Sequence, residues 1–179
     1  MKFYIIIFSF YVFGGTGGVL MFNIGDKIVY PMHGAGVIES IEEKEILGQK
    51  KSYYIMKIPI GDMKVMIPTG NVNDIGIREV ISNNDADKVF AILGENDQIS
   101  SSNWNKRYRE NMTKIKSGNV FEVACVVRSL MQRDKDKGLS TGERKMLASA
   151  KQILVSELVL AKNMNSFEVE SIINTYLRF

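Results

Sequence analysis

One stretch of the sequence concentrates the side chains best suited to act on a nucleic acid. In Ser101-Ser102-Asn103-Trp104-Asn105-Lys106-Arg107-Tyr108-Arg109 the chain's only tryptophan stands at the expected start of a helix. A serine-rich polar loop precedes it, and Lys106, Arg107 and Arg109 follow directly. An indole can wedge against an unstacked base step while neighbouring cations hold phosphates. A plainer reading competes with this one. Trp104, Tyr108, Met112 and Ile115 recur at helical spacing, which suits a tryptophan that caps a core. Taken alone, the pattern favours the core role.

Little else in the chain offers chemistry. A catalytic histidine needs an orienting acid and a nucleophile. The only histidine, His33, lies in Tyr30-Pro31-Met32-His33-Gly34-Ala35-Gly36, which supplies neither, so a structural role in a turn is expected. Gly34-Ala35-Gly36 lacks the rest of a dinucleotide fingerprint and precedes a strand-like run, so it reads as a bend. Glu42, Glu43 and Glu45 read as a solvated turn. The single cysteine excludes an internal disulfide and a cysteine-based zinc site. Cys125 stands in the apolar run Val123–Val127 and is expected to be a small core residue. No enzyme signature emerges, and neither a metal nor a cofactor is expected.

Charge is distributed unevenly along the 179 residues. From Phe22 to Asn83, seven bases face eight acids, so this part is near neutral. From Ser102 to Lys151, twelve bases face five acids. Positive charge gathered in one half suits a module that binds a polyanion.

The first twenty residues stand apart. Phe3 to Phe13 is an apolar run behind one lysine, shorter than the roughly 20 residues that span a bilayer. It has the charge and length of a signal peptide without a small-residue cleavage site. Gly17-Gly18-Val19-Leu20-Met21 can be encoded by a purine-rich GGAGGTGTN stretch just ahead of an ATG, the form of a bacterial ribosome-binding site. Translation is therefore expected to start at Met21, with 1–20 a mis-called upstream extension and a signal-like segment the alternative. A native peptide containing Phe3–Phe13 would refute that expectation.

From Phe22 the pattern is that of short strands with tight turns: Asp26–Tyr30 ending at Pro31, Gly36–Glu42, Ser52–Ile58, Lys64–Ile67 and Ile75–Val80. About five such strands predict a small twisted sheet or open barrel. After Asn83 the period becomes helical. Asn84 is expected to cap a helix that stops at Gly94. Three later starts place Asn or Ser three residues before Glu, at Asn119 and Glu122, Ser140 and Glu143, and Asn165 and Glu168, the form of a capping box. Helices are predicted near 103–117, 119–137, 140–163 and 166–178. The expected architecture is α+β, with a small β domain at 21–83 followed by an all-helical domain at 84–179.

These motifs, in this order, resemble the CarD/CdnL family of bacterial RNA polymerase-binding regulators. The N-terminal module of that family is shared with transcription-repair coupling factors. The resemblance rests on Gly25-Asp26-x-Ile28-Val29-Tyr30-Pro31-x-His33-Gly34, then Gly61-Asp62 with Ile67-Pro68, then Asn103-Trp104-x-x-Arg107-Tyr108. Val126-Val127-Arg128-x-Leu130 and Leu139-Ser140-x-Gly142-Glu143-x-x-Met146-Leu147 complete it. It covers Met21 to about Leu177 and leaves out the first twenty residues.

The resemblance implies a Tudor-like β domain that pairs a strand with the RNA polymerase β subunit. It also implies a helical domain whose tryptophan wedges into the minor groove of promoter DNA at the upstream edge of the −10 bubble, without reading sequence. Trp104 would be that wedge, with Lys106, Arg107, Arg109 and Arg144 as basic DNA contacts. Lys44, Ile46 and Met66 align with polymerase-contacting positions. Family members commonly carry arginine where Lys44 and Met66 stand, so the mode of docking transfers better than those contacts. A regulator of this kind works in the cytoplasm, associated with the nucleoid through polymerase, with no membrane. The alternative is a polymerase-tethered protein-interaction module without direct action on DNA. A helicase-linked repair factor is excluded, because the chain has no room for an ATPase.

Overall fold

Alternating apolar residues and tight turns build the first half of the molecule. The computed structural model describes residues 3–4, 21–95 and 103–177. The N-terminal extension, apart from Phe3–Tyr4, lies outside the described residues, as does the serine-rich loop apart from Asn103. The strands are β1 (Phe3–Tyr4), β2 (Lys27–Tyr30), β3 (Gly34–Ile46), β4 (Gln49–Ile58), β5 (Met63–Pro68) and β6 (Arg78–Glu79). They form one sheet in the order β1-β5-β4-β3-β2-β6, antiparallel except where β1 runs parallel to β5. Ile28, Ile38, Tyr54, Met56, Ile58, Val65 and Ile67 make its core.

β3 and β4 extend well past that core as a solvated ribbon. Leu47 and Gly48, both with positive φ (54° and 74°), close the hairpin in the manner that suits the right-handed twist of the strands. The acids expected in a turn are therefore strand residues. Glu43 faces Ser52 and Glu45 faces Lys50 across the ladder. Both faces of the ribbon meet water, which removes the apolar alternation that marks a half-buried strand.

The helical half follows as α1 (Asn83–Gly94), α2 (Trp104–Lys116), α3 (Val120–Lys137), α4 (Thr141–Lys162) and α5 (Ser166–Tyr176). The protein is thus α+β, with the small β module first, as the sequence predicts. The boxes at Ser140 and Asn165 close as expected. The box at Asn119 does not. Its side chain accepts from the amides of Phe121 and Glu122, but the Glu122 carboxylate takes the Ser117 hydroxyl instead, at 2.6 Å. Nor does Asn84 cap α1, because Ser82 stands in extended backbone two residues earlier and accepts from the Asp85 amide. Cys125 is half-buried rather than a full core residue. Among the described residues, no helix is long and apolar enough to cross a membrane.

Helix α4 joins the two modules. Gly34 approaches it so closely that an added Cβ would lie 2.6 Å from the Ser156 hydroxyl oxygen, and its φ of +105° also favours glycine. The Ser156 hydroxyl accepts from the Ala35 amide at 2.8 Å and donates to the Ile153 carbonyl. Nearby, Glu157 is 1% exposed. Its two oxygens take both terminal nitrogens of Arg78 on β6, at 2.6 and 2.9 Å, and the Ile81 amide at 3.2 Å. Arg78 also donates to the Gly118 carbonyl between α2 and α3. One ion pair therefore ties the sheet edge, the α1 lead-in and the helical module together. Arg78→Ala would leave a buried carboxylate without its cation and should cost about 3 kcal/mol in urea unfolding; a loss under about 1 kcal/mol would reduce the pair to a surface contact.

Candidate nucleic-acid interface

Trp104 is the first residue of α2, and Asn103 caps that helix by accepting from the Lys106 amide. The stripe Trp104, Tyr108, Met112, Ile115 runs from solvent into the core. Ile115 is buried, Tyr108 and Met112 are packed against the core, and the indole stays 43% exposed. The tryptophan therefore does not cap the core as its spacing suggests. It lies over Tyr108, ring centroids 5.4 Å apart and planes at 28°. Gly142 of α4 lies behind it, leaving ordinary van der Waals space to the Trp104 and Tyr108 rings. The indole N–H donates to the Ser140 hydroxyl at 3.1 Å. The N-termini of two helices, α2 and α4, thus meet at one aromatic side chain, and such ends carry partial positive charge.

Beneath the ring lies a buried ionic cluster. Glu143 of α4 is 3% exposed, and one of its oxygens accepts from Arg107 Nε at 3.2 Å and Nη2 at 2.7 Å. Arg133 Nε, from α3, lies 3.6 Å from the same oxygen. The other oxygen accepts the Ser140 hydroxyl at 2.8 Å and the Ser140 amide at 3.1 Å. Burial disfavours the charged form of Glu143, but hydrogen bonds from Arg107 and Ser140 outweigh it and hold the carboxyl below its usual range.

The expected DNA contacts divide accordingly. Lys106 and Arg109 on α2 and Arg144 on α4 are exposed. Among the described residues, Lys106 has a long contact to Glu110, at 3.9 Å. Arg107 is different: it is 4% exposed and faces Glu143 inside the module. In this structure its side chain is buried, unlike those of Lys106, Arg109 and Arg144.

The second set of expected contacts lies on the sheet. Residues directly opposite across a ladder point to the same side. The pairs Ser40 with Ile55 and Ile55 with Met66 place Met66 on the same side as Ser40. Lys44 and Ile46 continue that side along β3, away from the face that carries the core. Lys44 is exposed and pairs with Glu42 at 2.7 Å, while Ile46 and Met66 are half-buried. β5 is the strand next to the sheet's end. Its outer edge already pairs with a strand in this structure, Phe3 against Lys64 and Tyr4 against Val65.

The His33 ring lies against Tyr30, centroids 4.4 Å apart with planes tilted by 51°, and its amide donates to the Tyr30 carbonyl. Burial pushes its imidazole below the ordinary value. No group of metal-ligating side chains occurs among the described residues.

Two family models match the chain. The CarD-like/TRCF RID domain matches residues 22–81, and the C-terminal domain of CarD matches residues 88–174. A Bacillus subtilis (strain 168) protein named "Putative transcription factor YdeB" is 44% identical over 153 residues, covering 84% of this chain and 99% of the relative.

Replacing a core aromatic by alanine costs about 3–5 kcal/mol. Trp104→Ala, removing a ring that is nearly half exposed, should cost about 2 kcal/mol in urea unfolding. A loss in the core range would return the indole to a core role.

Proposed function

Since the chain belongs to the CarD family of bacterial transcription regulators, we propose that it docks on the RNA polymerase β subunit through its sheet. From there it steadies the opened promoter with Trp104. The observation that carries this reading is the indole itself, the only one in the chain, held part-exposed between two helix N-termini on helices that also carry the exposed cations Lys106, Arg109 and Arg144. A flat ring so placed suits an unstacked step in the minor groove at the upstream edge of the bubble. The exposed cations suit the phosphates on either side. In this reading polymerase supplies the targeting.

Docking by strand addition fits the β5 edge. Main-chain hydrogen bonds give affinity in that mode, and alternate side chains give selectivity. With translation starting at Met21, the β5 edge that here pairs with Phe3–Tyr4 is open to a partner strand. Lys44, Ile46 and Met66, all on one side of the sheet, are the contacts proposed there. Met66 brings an apolar contact where relatives commonly bring a cation. In this role the protein works in the cytoplasm, associated with the nucleoid through polymerase.

The action on the promoter follows from linkage. A factor that binds the open complex better than the closed one shifts the equilibrium by that difference, whatever its total affinity. One stacking contact of about 1–3 kcal/mol would shift the open-state equilibrium roughly 5- to 150-fold. The full chain, added to the cognate polymerase on a promoter, should lengthen the open-complex lifetime. Trp104→Ala, still folded and polymerase-bound, should lose the effect. Polymerase binding with no change in lifetime would instead leave a tethered protein-interaction module.

A further inference from the structure

We propose that Ser140, Glu143 and Arg107 are positioning residues that set the orientation of the Trp104 indole, and that Arg107 reaches DNA only through that ring. Its consequence for DNA rests on the function proposed above; its consequence for the free protein does not.

The hydrogen bonds form a directed chain. A serine hydroxyl has one proton to donate and two lone pairs. Ser140 commits its proton to Glu143 at 2.8 Å. Its oxygen is then left to accept, and it accepts from the Trp104 indole N–H at 3.1 Å and the Glu143 amide at 3.3 Å. The charge on Glu143 keeps the serine proton turned that way, and Arg107 keeps Glu143 charged by donating twice to its other oxygen. Arg107 and Trp104 lie three residues apart on α2, so the chain starts and ends on one helix after passing through α4. An exposed tryptophan without such an anchor is free to turn about its side-chain bonds. Here one edge of the ring is tethered and Tyr108 covers part of it, leaving 43% of the residue to solvent.

A purely structural role for the same residues predicts something different. Arg107 would then matter only for stability, and a cap lost at Ser140 would equal a cap lost at any helix. A phosphate contact differs again, because removing it lowers the dependence of binding on salt.

Because Trp104 is the only tryptophan, intrinsic emission of the full chain reports on this ring alone. Ser140→Ala should raise acrylamide quenching by up to about twofold, the limit for a residue now 43% exposed that loses all its cover, and should lower emission anisotropy. Ser140→Thr, which keeps the hydroxyl, should restore both. Asn165→Ala removes the cap of α5 and should leave both unchanged at a similar loss of stability. On fork-junction DNA, Ser140→Ala should lose about fivefold in affinity. Arg107→Gln should bind more weakly at an unchanged salt slope, whereas Arg109→Ala should flatten that slope by about 0.9. Quenching and anisotropy at wild-type levels in Ser140→Ala would overturn the proposal, as would a flattened slope in Arg107→Gln. If Arg107→Gln fails to fold, the serine pair decides. Altered quenching with undiminished DNA affinity would uphold the positioning role while sinking the DNA reading.

Discussion

Two carboxylates buried on one helix organise this molecule. Glu143 and Glu157 both belong to α4 and are 3% and 1% exposed. Desolvating a charge is expensive, and it persists in an interior only with partners of opposite sign and well-made hydrogen bonds. Each glutamate therefore dictates what surrounds it. Glu157 draws Arg78 and the Ile81 amide to the helix, fixing the sheet edge and the entry to α1. Glu143 draws Arg107 from α2 and Arg133 from α3, and it also closes the cap of α4. The two positions are nearly four turns apart, about 21 Å along the helix axis.

α4 consequently acts as a spacer of fixed length between the proposed polymerase-docking sheet and the proposed DNA-facing indole. A factor anchored on polymerase can steady a bubble only if its wedge falls at the right place, and a flexible linker would dilute that placement. The contacts along α4 do the opposite. The Ser156 hydroxyl meets the Ala35 amide, and Lys27 donates to the Leu160 carbonyl. Preorganisation lowers the ordering that binding must otherwise supply. In the proposed function a single aromatic contact then suffices, because polymerase would choose the site.

Much of the fold was legible in the chain. Period-two runs with tight turns, helical periods after Asn83 and cap residues at Ser140 and Asn165 placed the main elements, because those signals are local. What escaped was long-range. The acids at 42, 43 and 45 looked like a turn because a ribbon solvated on both faces carries no apolar alternation. Ser82 preceded Asn84 as the cap because the chain leaves the sheet extended just there. Arg107 looked like a phosphate contact beside Lys106 and Arg109. Its partner Glu143 lies 36 residues away, and the capping-box motif disclosed only half of what that carboxylate does. Arg78 and Glu157, 79 residues apart, gave no sign in sequence of being a pair. Trp104 was ambiguous for the opposite reason. Its helical stripe is genuine, and only three dimensions reveal that the stripe surfaces at its first residue.

The central claim is that the Trp104 ring meets promoter DNA where the duplex opens. The most direct measurement places a photo-crosslinking aromatic residue at position 104 of the full chain and maps its adducts in the open complex with cognate polymerase. Adducts confined to the bases at the upstream edge of the bubble, and lost when polymerase is left out, are the expected result. Adducts to polymerase alone, with none to DNA, would contradict the account.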